Sequence, residues 1–151
     1  MTSLVTAAVE QARQATDRHE IVLSAPTSVP AHVDATRIEQ VVGNLLDNAI
    51  HWTPSGGTIR LDGTARPDGG FEVVVSDTGP GVPAAERERI FEAFQSSESP
   101  DGRHGSGLGL AISRQLARAL GGDVRMEPRP EGGSRFVLEV PSGGARQPVG
   151  V

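Results

Sequence analysis

Three short segments of this sequence carry side chains and spacings suited to chemistry. The first is Asn44-Leu45-Leu46-Asp47-Asn48-Ala49. At about 100° per residue, a helix here sets Asn44, Asn48 and His51 opposite a stripe of Ile38, Val42, Leu45 and Ala49. Such a stripe anchors a helix and leaves the amides facing outward, as a cleft wall requires; a solvated polar face shows the same pattern. Asparagine is a poor helix former, so two at i, i+4 tilt the balance toward a use beyond helix formation. The second segment is Ser76-Asp77-Thr78-Gly79-Pro80-Gly81. Asp77 follows the apolar run Val73–Val75 and so stands at the end of a strand, where its carboxylate could accept a hydrogen bond from an amino group such as that on adenine. The two glycines let the backbone bend and approach a ligand, although an ordinary Asp-Gly turn reads the same way. The third is Gly105-Ser106-Gly107-Leu108-Gly109-Leu110, which opens a helix and so offers amides and a positive dipole end to phosphate. Arg103 and His104 precede it as possible phosphate contacts or plain loop residues. Its Gly-x-Gly-x-Gly spacing is not the dinucleotide fingerprint, and no lysine follows as in a P-loop.

Composition narrows the choices. The 151 residues, about one domain, are 36% hydrophobic and 22% charged, a globular balance. All 14 basic residues are arginine, which excludes P-loop, protein-kinase and Schiff-base lysines. There is no cysteine, hence no disulfide, thiolate nucleophile or cysteine–zinc site. A net charge of −5 argues against nucleic acid as a partner. No run of about 18 apolar residues spans a membrane, and no signal peptide is visible, so a soluble domain is expected. The four histidines lack His-x-x-x-His zinc spacing, and His32 and His104 read as surface residues.

The elements that must position these segments follow from the patterning. Residues 3–18 read as an amphipathic helix and Ile21–Leu23 as a short strand ending before Pro26. Residues 34–52 form the strongest helix, with Asp34 or Thr36 as cap, Glu39 completing a capping box, and Pro54 and Gly56-Gly57 as the stop. Thr58–Arg66 and Phe71–Ser76 read as strands joined by a hairpin at Pro67-Asp68-Gly69-Gly70. A short helix is expected over 84–94, a loop over 95–107, and a helix over Leu108–Leu120 ending at Gly121-Gly122. Asp123–Glu127 and Arg135–Val140 are the last strands. The sum is an α+β layer, one sheet covered on one face.

Taken in order, Asn44–Ala49, Asp77-Thr78-Gly79-Pro80-Gly81, Phe91-Glu92-Ala93-Phe94 and Gly105–Leu110 closely resemble the N, G1, F and G2 boxes of the ATP-binding catalytic domain of sensor histidine kinases. The resemblance covers about residues 18–141, with Gly132-Gly133-Ser134-Arg135-Phe136 similar to the closing strand motif. It implies a two-layer Bergerat α/β sandwich: a mixed sheet with helices on one face. One catalytic domain would occupy 1–143 and a flexible tail 144–151. The resemblance also implies Mg-ATP in a cleft closed by a lid over about 82–107, rooted by Phe91 and Phe94. By that match Asn48 chelates Mg2+, with Asn44 beside it, and Asp77 bonds the adenine amino group. Gly79, Gly81 and Val82 shape the adenine wall. Arg103 and the amides of Gly105, Ser106, Gly107, Leu108, Gly109 and Leu110 hold the triphosphate, and Ser134 sits near the adenine.

Two positions depart from the family. His51 and Trp52 stand where it usually has lysine and tyrosine. Trp52 can still pack on a base, but a mostly neutral imidazole is a weaker phosphate partner, so Arg103 should carry more of that charge. His19-Glu20 imitates the phosphoacceptor box. Ser24 and Pro26 are displaced from its Thr-Pro, the following residues read as a strand, and 25 positions to Asn44 leave no room for a helical hairpin. The expectation is a monomeric fragment or rare stand-alone domain, cytoplasmic, from a parent anchored in the membrane. It would need a dimerisation-and-phosphoacceptor domain, and a response regulator, as partners. The alternatives are a hydrolytic ATPase of the gyrase and Hsp90 type, an anti-sigma serine kinase, and a non-catalytic nucleotide-binding module. The first two resemble a version with glutamate at Asn44, a general base that asparagine cannot replace.

Overall fold

A computed structural model describes residues 9–14, 19–25, 35–66, 70–92 and 109–141. Five strands form one sheet in the order β1-β2-β3-β5-β4. They are β1 (Glu20–Ala25), β2 (Thr58–Ala65), β3 (Phe71–Asp77), β4 (Asp123–Pro128) and β5 (Ser134–Val140). β1 runs parallel to β2, with Ile21 opposite Ile59, and the other pairs are antiparallel. Parallel neighbours need a crossover, and α1 (Ala35–Trp52) provides it. β2 and β3 pair antiparallel as the hairpin signal predicts, while the turn at 67–69 lies outside the described residues. The mixed sheet with helices on one face is the expected architecture.

Strand alternation decides which face is covered. Phe71, Val73 and Val75 of β3 and Phe136, Leu138 and Val140 of β5 point to the helices and are almost fully buried. α1 lies against β2, β3 and β5, and α2 (Gly109–Ala119) packs beside it and on β4. The helical residues 9–14 add Val9 and Ala12 to this core, and the Arg13 guanidinium donates to the Ile21 carbonyl at 2.9 and 3.2 Å. α1 buries more than the predicted stripe: Val41, Leu46 and Ile50 are also within the core. It meets the sheet on one side and α2 and the 9–14 segment on others, so three surfaces claim its apolar residues. α2 stops where Gly121 N–H closes on Arg118 O at 3.0 Å and Gly122 N–H on Ala117 O at 2.9 Å.

The opposite sheet face is mostly charged. Arg125 bonds Glu139 at 2.6 Å and Glu127 at 2.9 Å, and Arg66 bonds Glu139 at 2.5 Å. Val74 and Val137, paired at its centre, are nonetheless 7% and 1% exposed. Arginine stems can cover such apolar surface while the charged heads reach water.

The helix expected over 84–94 is replaced by two single-turn 3₁₀ helices, Ala84–Glu86 and Arg89–Phe91. Phe91 alone of these residues is buried, so the segment has no continuous apolar face to hold an α-helix. Residues 93–108 lie outside the described part, and with them Phe94, Arg103, His104, Gly105, Ser106, Gly107 and Leu108; so does His32.

Candidate functional site

β3 places Asp77. The strand's alternation puts Phe71, Val73, Val75 and then Asp77 on the helix-covered face, so the last inward position carries a carboxylate instead of a core side chain. Asp77 is 4% exposed. Its Oδ1 accepts the Gly79 N–H at 2.9 Å, and the Ser134 N–H also faces the carboxylate as a donor. Burial pushes the Asp77 carboxyl above the usual carboxylate range, while these two amides and the positive charge of Arg129 pull it back.

Close backbone packing surrounds this group. A Cβ at Gly79 would stand 3.0 Å from Asp77 Oδ1 and 3.1 Å from the Trp52 carbonyl. Gly133 has φ +100°, and a Cβ there would come within 2.0 Å of the Asp77 carbonyl oxygen. The turn between β4 and β5 thus presses directly on the end of β3, and only glycine permits it. Gly81 approaches the same turn: a Cβ on it would lie 3.3 Å from the Gly133 carbonyl. Ser134, paired with Asp77 across the sheet, is 5% exposed.

α1 supplies the second wall. Asn44, Asn48, His51 and Trp52 are half-buried, which separates them from a plainly solvated helix face. Asn44 Nδ2 lies 3.5 Å from the Gly109 carbonyl at the start of α2. The same carbonyl accepts the Ser113 hydroxyl at 2.8 Å. His51 and Trp52 meet edge to face with ring centroids 5.3 Å apart. Gly109 and Leu110 open α2 and are half-buried, as are Gly81 and Val82. The described site residues therefore fall on the C-terminal part of α1, the end of β3, the start of α2 and the start of β5.

Beyond β3 the chain is tied down at Phe91. Its ring packs against Phe136 with centroids 6.3 Å apart, and the Arg114 guanidinium sits 4.2 Å over it. Arg114 also bonds Glu88 and Asp123, each at 3.1 Å. Val82 is held by its carbonyl, which accepts Arg87 Nε at 3.4 Å.

His19 belongs to the frame. Its Nε2 contacts the Thr53 carbonyl at 2.6 Å, just ahead of β1, so it sits at a strand and not on an acceptor helix. Thr53 itself is fully buried, and its hydroxyl has no hydrogen-bond partner among the described residues. Arg129 and Thr53 belong to none of the sequence motifs, and Gly133 stands only within the Gly132–Phe136 motif. The Gly132-Gly133 pair before a strand was the available signal for the turn; nothing in the pattern singled out Arg129.

Residues 33–144 match the family of histidine kinase-, DNA gyrase B- and HSP90-like ATPases. The chain belongs to this family. Within it, the chain is similar to sensor histidine kinases. It is 38% identical over 130 residues to the adaptive-response sensory kinase SasA of a Nostoc species, covering 85% of this chain and 32% of that protein. It is 45% identical over 101 residues to the histidine-protein kinase/phosphatase MprB of a Mycobacterium species, covering 67% of this chain and 20% of that one. A mycobacterial MprB structure superposes with a TM-score of 0.78 at 32% identity, over 93% of this chain and 95% of that one. Full-length ShkA in complex with AMPPNP gives the same score and identity, over 93% of this chain and 29% of that one. This histidine-kinase ATPase domain spans about a third or less of the length of the curated relatives named here.

Proposed function

We propose that this domain binds Mg-ATP between α1, the end of β3 and the start of α2, and that in its parent kinase it donates the γ-phosphate to a histidine on a dimerisation-and-phosphoacceptor domain. The observation that carries the reading is Asp77: a buried carboxylate at an inward strand position, held by backbone amides where glycine backbone packs closely around it. A carboxylate so placed is an acceptor for the exocyclic amino group of adenine. Gly79, Gly81 and Val82 line the base, Ser134 flanks it, and Trp52 offers an aromatic face. Asn44 and His51 face the phosphates. The residues fit a divalent cation through Asn48, a half-buried amide with an oxygen donor on the wall beside them. When bound there, magnesium would supply charge neutralisation on the phosphates. Arg103 and the amides of Gly105, Ser106, Gly107, Leu108, Gly109 and Leu110 complete the phosphate cradle in this reading.

Asn44 bears on the reaction type. It cannot take a proton from water, so hydrolysis is slow and transfer depends on positioning and charge stabilisation, with the nucleophile brought by another domain. A response regulator is the next partner through the full-length protein. None of the described helices is long and apolar enough to cross a membrane, and membrane attachment is assigned to the parent.

Two measurements test the proposal. Titration calorimetry with ATP should show binding that weakens when magnesium is removed; no binding in either condition would overturn it. Incubation with γ-labelled ATP should leave this chain unlabelled and label an added phosphoacceptor domain of the parent. Stable acid-labile phosphate on this chain alone would sink the assignment of His19 to the frame.

A further inference from the structure

We infer that Arg114 is a positioning residue for the nucleotide: its guanidinium holds the segment after β3, which lines the base, against α2, whose first turn faces the phosphates, and so fixes the spacing that one ligand must span. The inference rests on the ATP reading proposed above.

The side chain makes three attachments. Arg114 is 15% exposed, so its contacts are only partly screened by solvent. Its Nε donates to Asp123 at 3.1 Å, and its Nη1 and Nη2 donate to the two carboxylate oxygens of Glu88 at 3.1 and 3.5 Å. Its Cζ lies 4.2 Å from the centre of the Phe91 ring, over the ring face. A planar guanidinium can spread its edge over two carboxylates while resting on an aromatic ring; the compact ammonium of lysine cannot. Glu88 is 80% exposed, so that arm orients the side chain more than it stabilises it, and Phe91 carries most of the hold on the segment.

Each attachment leads to a fixed part of the frame. Asp123 opens β4 and also accepts the Val124 N–H at 2.9 Å and Arg118 Nε at 3.2 Å. Glu88 and Phe91 bracket the second 3₁₀ turn, where the Phe91 N–H closes on the Glu88 carbonyl at 3.2 Å. The Phe91 ring in turn rests on Phe136 of β5. Further back along this segment, Arg87 Nε donates to the Val82 carbonyl at 3.4 Å and ties the 3₁₀ turns to the base-lining residues. On the helix side, Arg114 follows Ser113, which is fully buried and donates to the Gly109 carbonyl at 2.8 Å. Asn44 of α1 reaches the same carbonyl. The guanidinium thus stands little more than one helical turn from the start of α2.

These links join two half-sites. Gly81 and Val82 lie at one end of the chain of contacts, and Gly109 and Leu110 at the other. A ligand that touches both halves binds with an effective concentration set by how firmly their spacing is held. A ligand that touches one half does not sense that spacing. Loss of Arg114 should therefore weaken ATP while sparing adenosine and inorganic triphosphate, which each fill one half.

The test measures affinities for ATP, adenosine and inorganic triphosphate, all with magnesium, by nuclear magnetic resonance titration of the whole chain and of Arg114→Met and Arg114→Lys. Methionine keeps an apolar stem against Phe91 and removes the charge and the fork. Arg114→Met should bind ATP about tenfold more weakly, with adenosine and triphosphate within about twofold of the parent. Arg114→Lys keeps a cation without the fork and should lose about threefold for ATP alone; it carries the test if the methionine variant does not fold. Parent-like ATP binding in folded Arg114→Met would overturn the inference. An equal loss for adenosine or for triphosphate would do the same, leaving Arg114 a support of one half or of the fold. The two layers separate at the parent: a parent chain that binds no ATP overturns the nucleotide reading itself, whereas a binding parent matched by Arg114→Met overturns only the inference.

Discussion

Asp77 stands where a hydrophobic residue would stabilise the fold. Its carboxyl is raised by burial, so the ionised form is disfavoured in the folded state. The sign follows: a carboxylate raised on folding costs stability at neutral pH, and the cost is relieved as pH falls through the folded value. Asp77→Asn should therefore melt at or above the parent's temperature at pH 7, while ATP affinity falls at least tenfold, about 1.4 kcal/mol. Thermal unfolding followed by circular dichroism, with calorimetric binding on the same samples, checks both halves. A variant that is less stable and still binds would contradict the assignment. Gly133 gives a second test at this scale. Alanine there meets a positive φ and a carbonyl 2.0 Å from its Cβ. Gly133→Ala should destabilise the domain by about 3 kcal/mol, read as a lowered denaturation midpoint.

At the level of elements, α1 does two jobs. One side buries Leu45 completely, and the other presents Asn44 and Asn48. Leu45→Ala should cost about 2–5 kcal/mol in urea unfolding, and residual folded protein should still bind nucleotide. The charges on β4 and β5 set an acid limit. The Arg66 hydrogen bond, with the nearby Arg125, holds Glu139 below the usual carboxylate range. Burial works to raise Asp123, but the Val124 N–H and Arg114 outweigh it and lower it. Both contributions are present above about pH 4 and are lost as pH falls through the depressed folded values. Melting temperature should drop below pH 4, and Glu139→Gln should flatten part of that drop. The same elements show what the sequence could reveal. Alternation along Phe71–Asp77 and the apolar periodicity of 34–52 are local, and both elements form where expected. The 84–94 segment carries helix-forming residues, yet of its described residues 84–92 Phe91 alone is fully within the core, with Ile90 packed partly against it, a tertiary fact that no local pattern contains. Arg129 is invisible for the same reason. Its side-chain hydrogen bonds go to residues 52 and three positions away, and both acceptors are backbone carbonyls without side-chain identity.

Across the whole molecule, the described site residues gather at one end of the sheet, and the Arg66–Glu139–Arg125 network lies on the opposite sheet face from the helices. Arg114 links the segment after β3, α2 and β4 through Phe91, Glu88 and Asp123. Arg114→Ala should loosen the chain around Phe91, read as faster amide exchange over 84–92 with little change in β3. The phosphoryl transfer proposed above would then depend on an acceptor presented from outside these elements. One further property follows from Trp52. It is the single tryptophan in a chain without tyrosine, and it lies half-buried at the end of α1, its carbonyl against Gly79. Tryptophan emission from this protein therefore arises at the end of α1 alone, beside the proposed nucleotide site. Quenching or a spectral shift on adding a ligand reports occupancy directly, without a dye, and its loss of structure during unfolding times the opening of that one corner against the rest of the sheet.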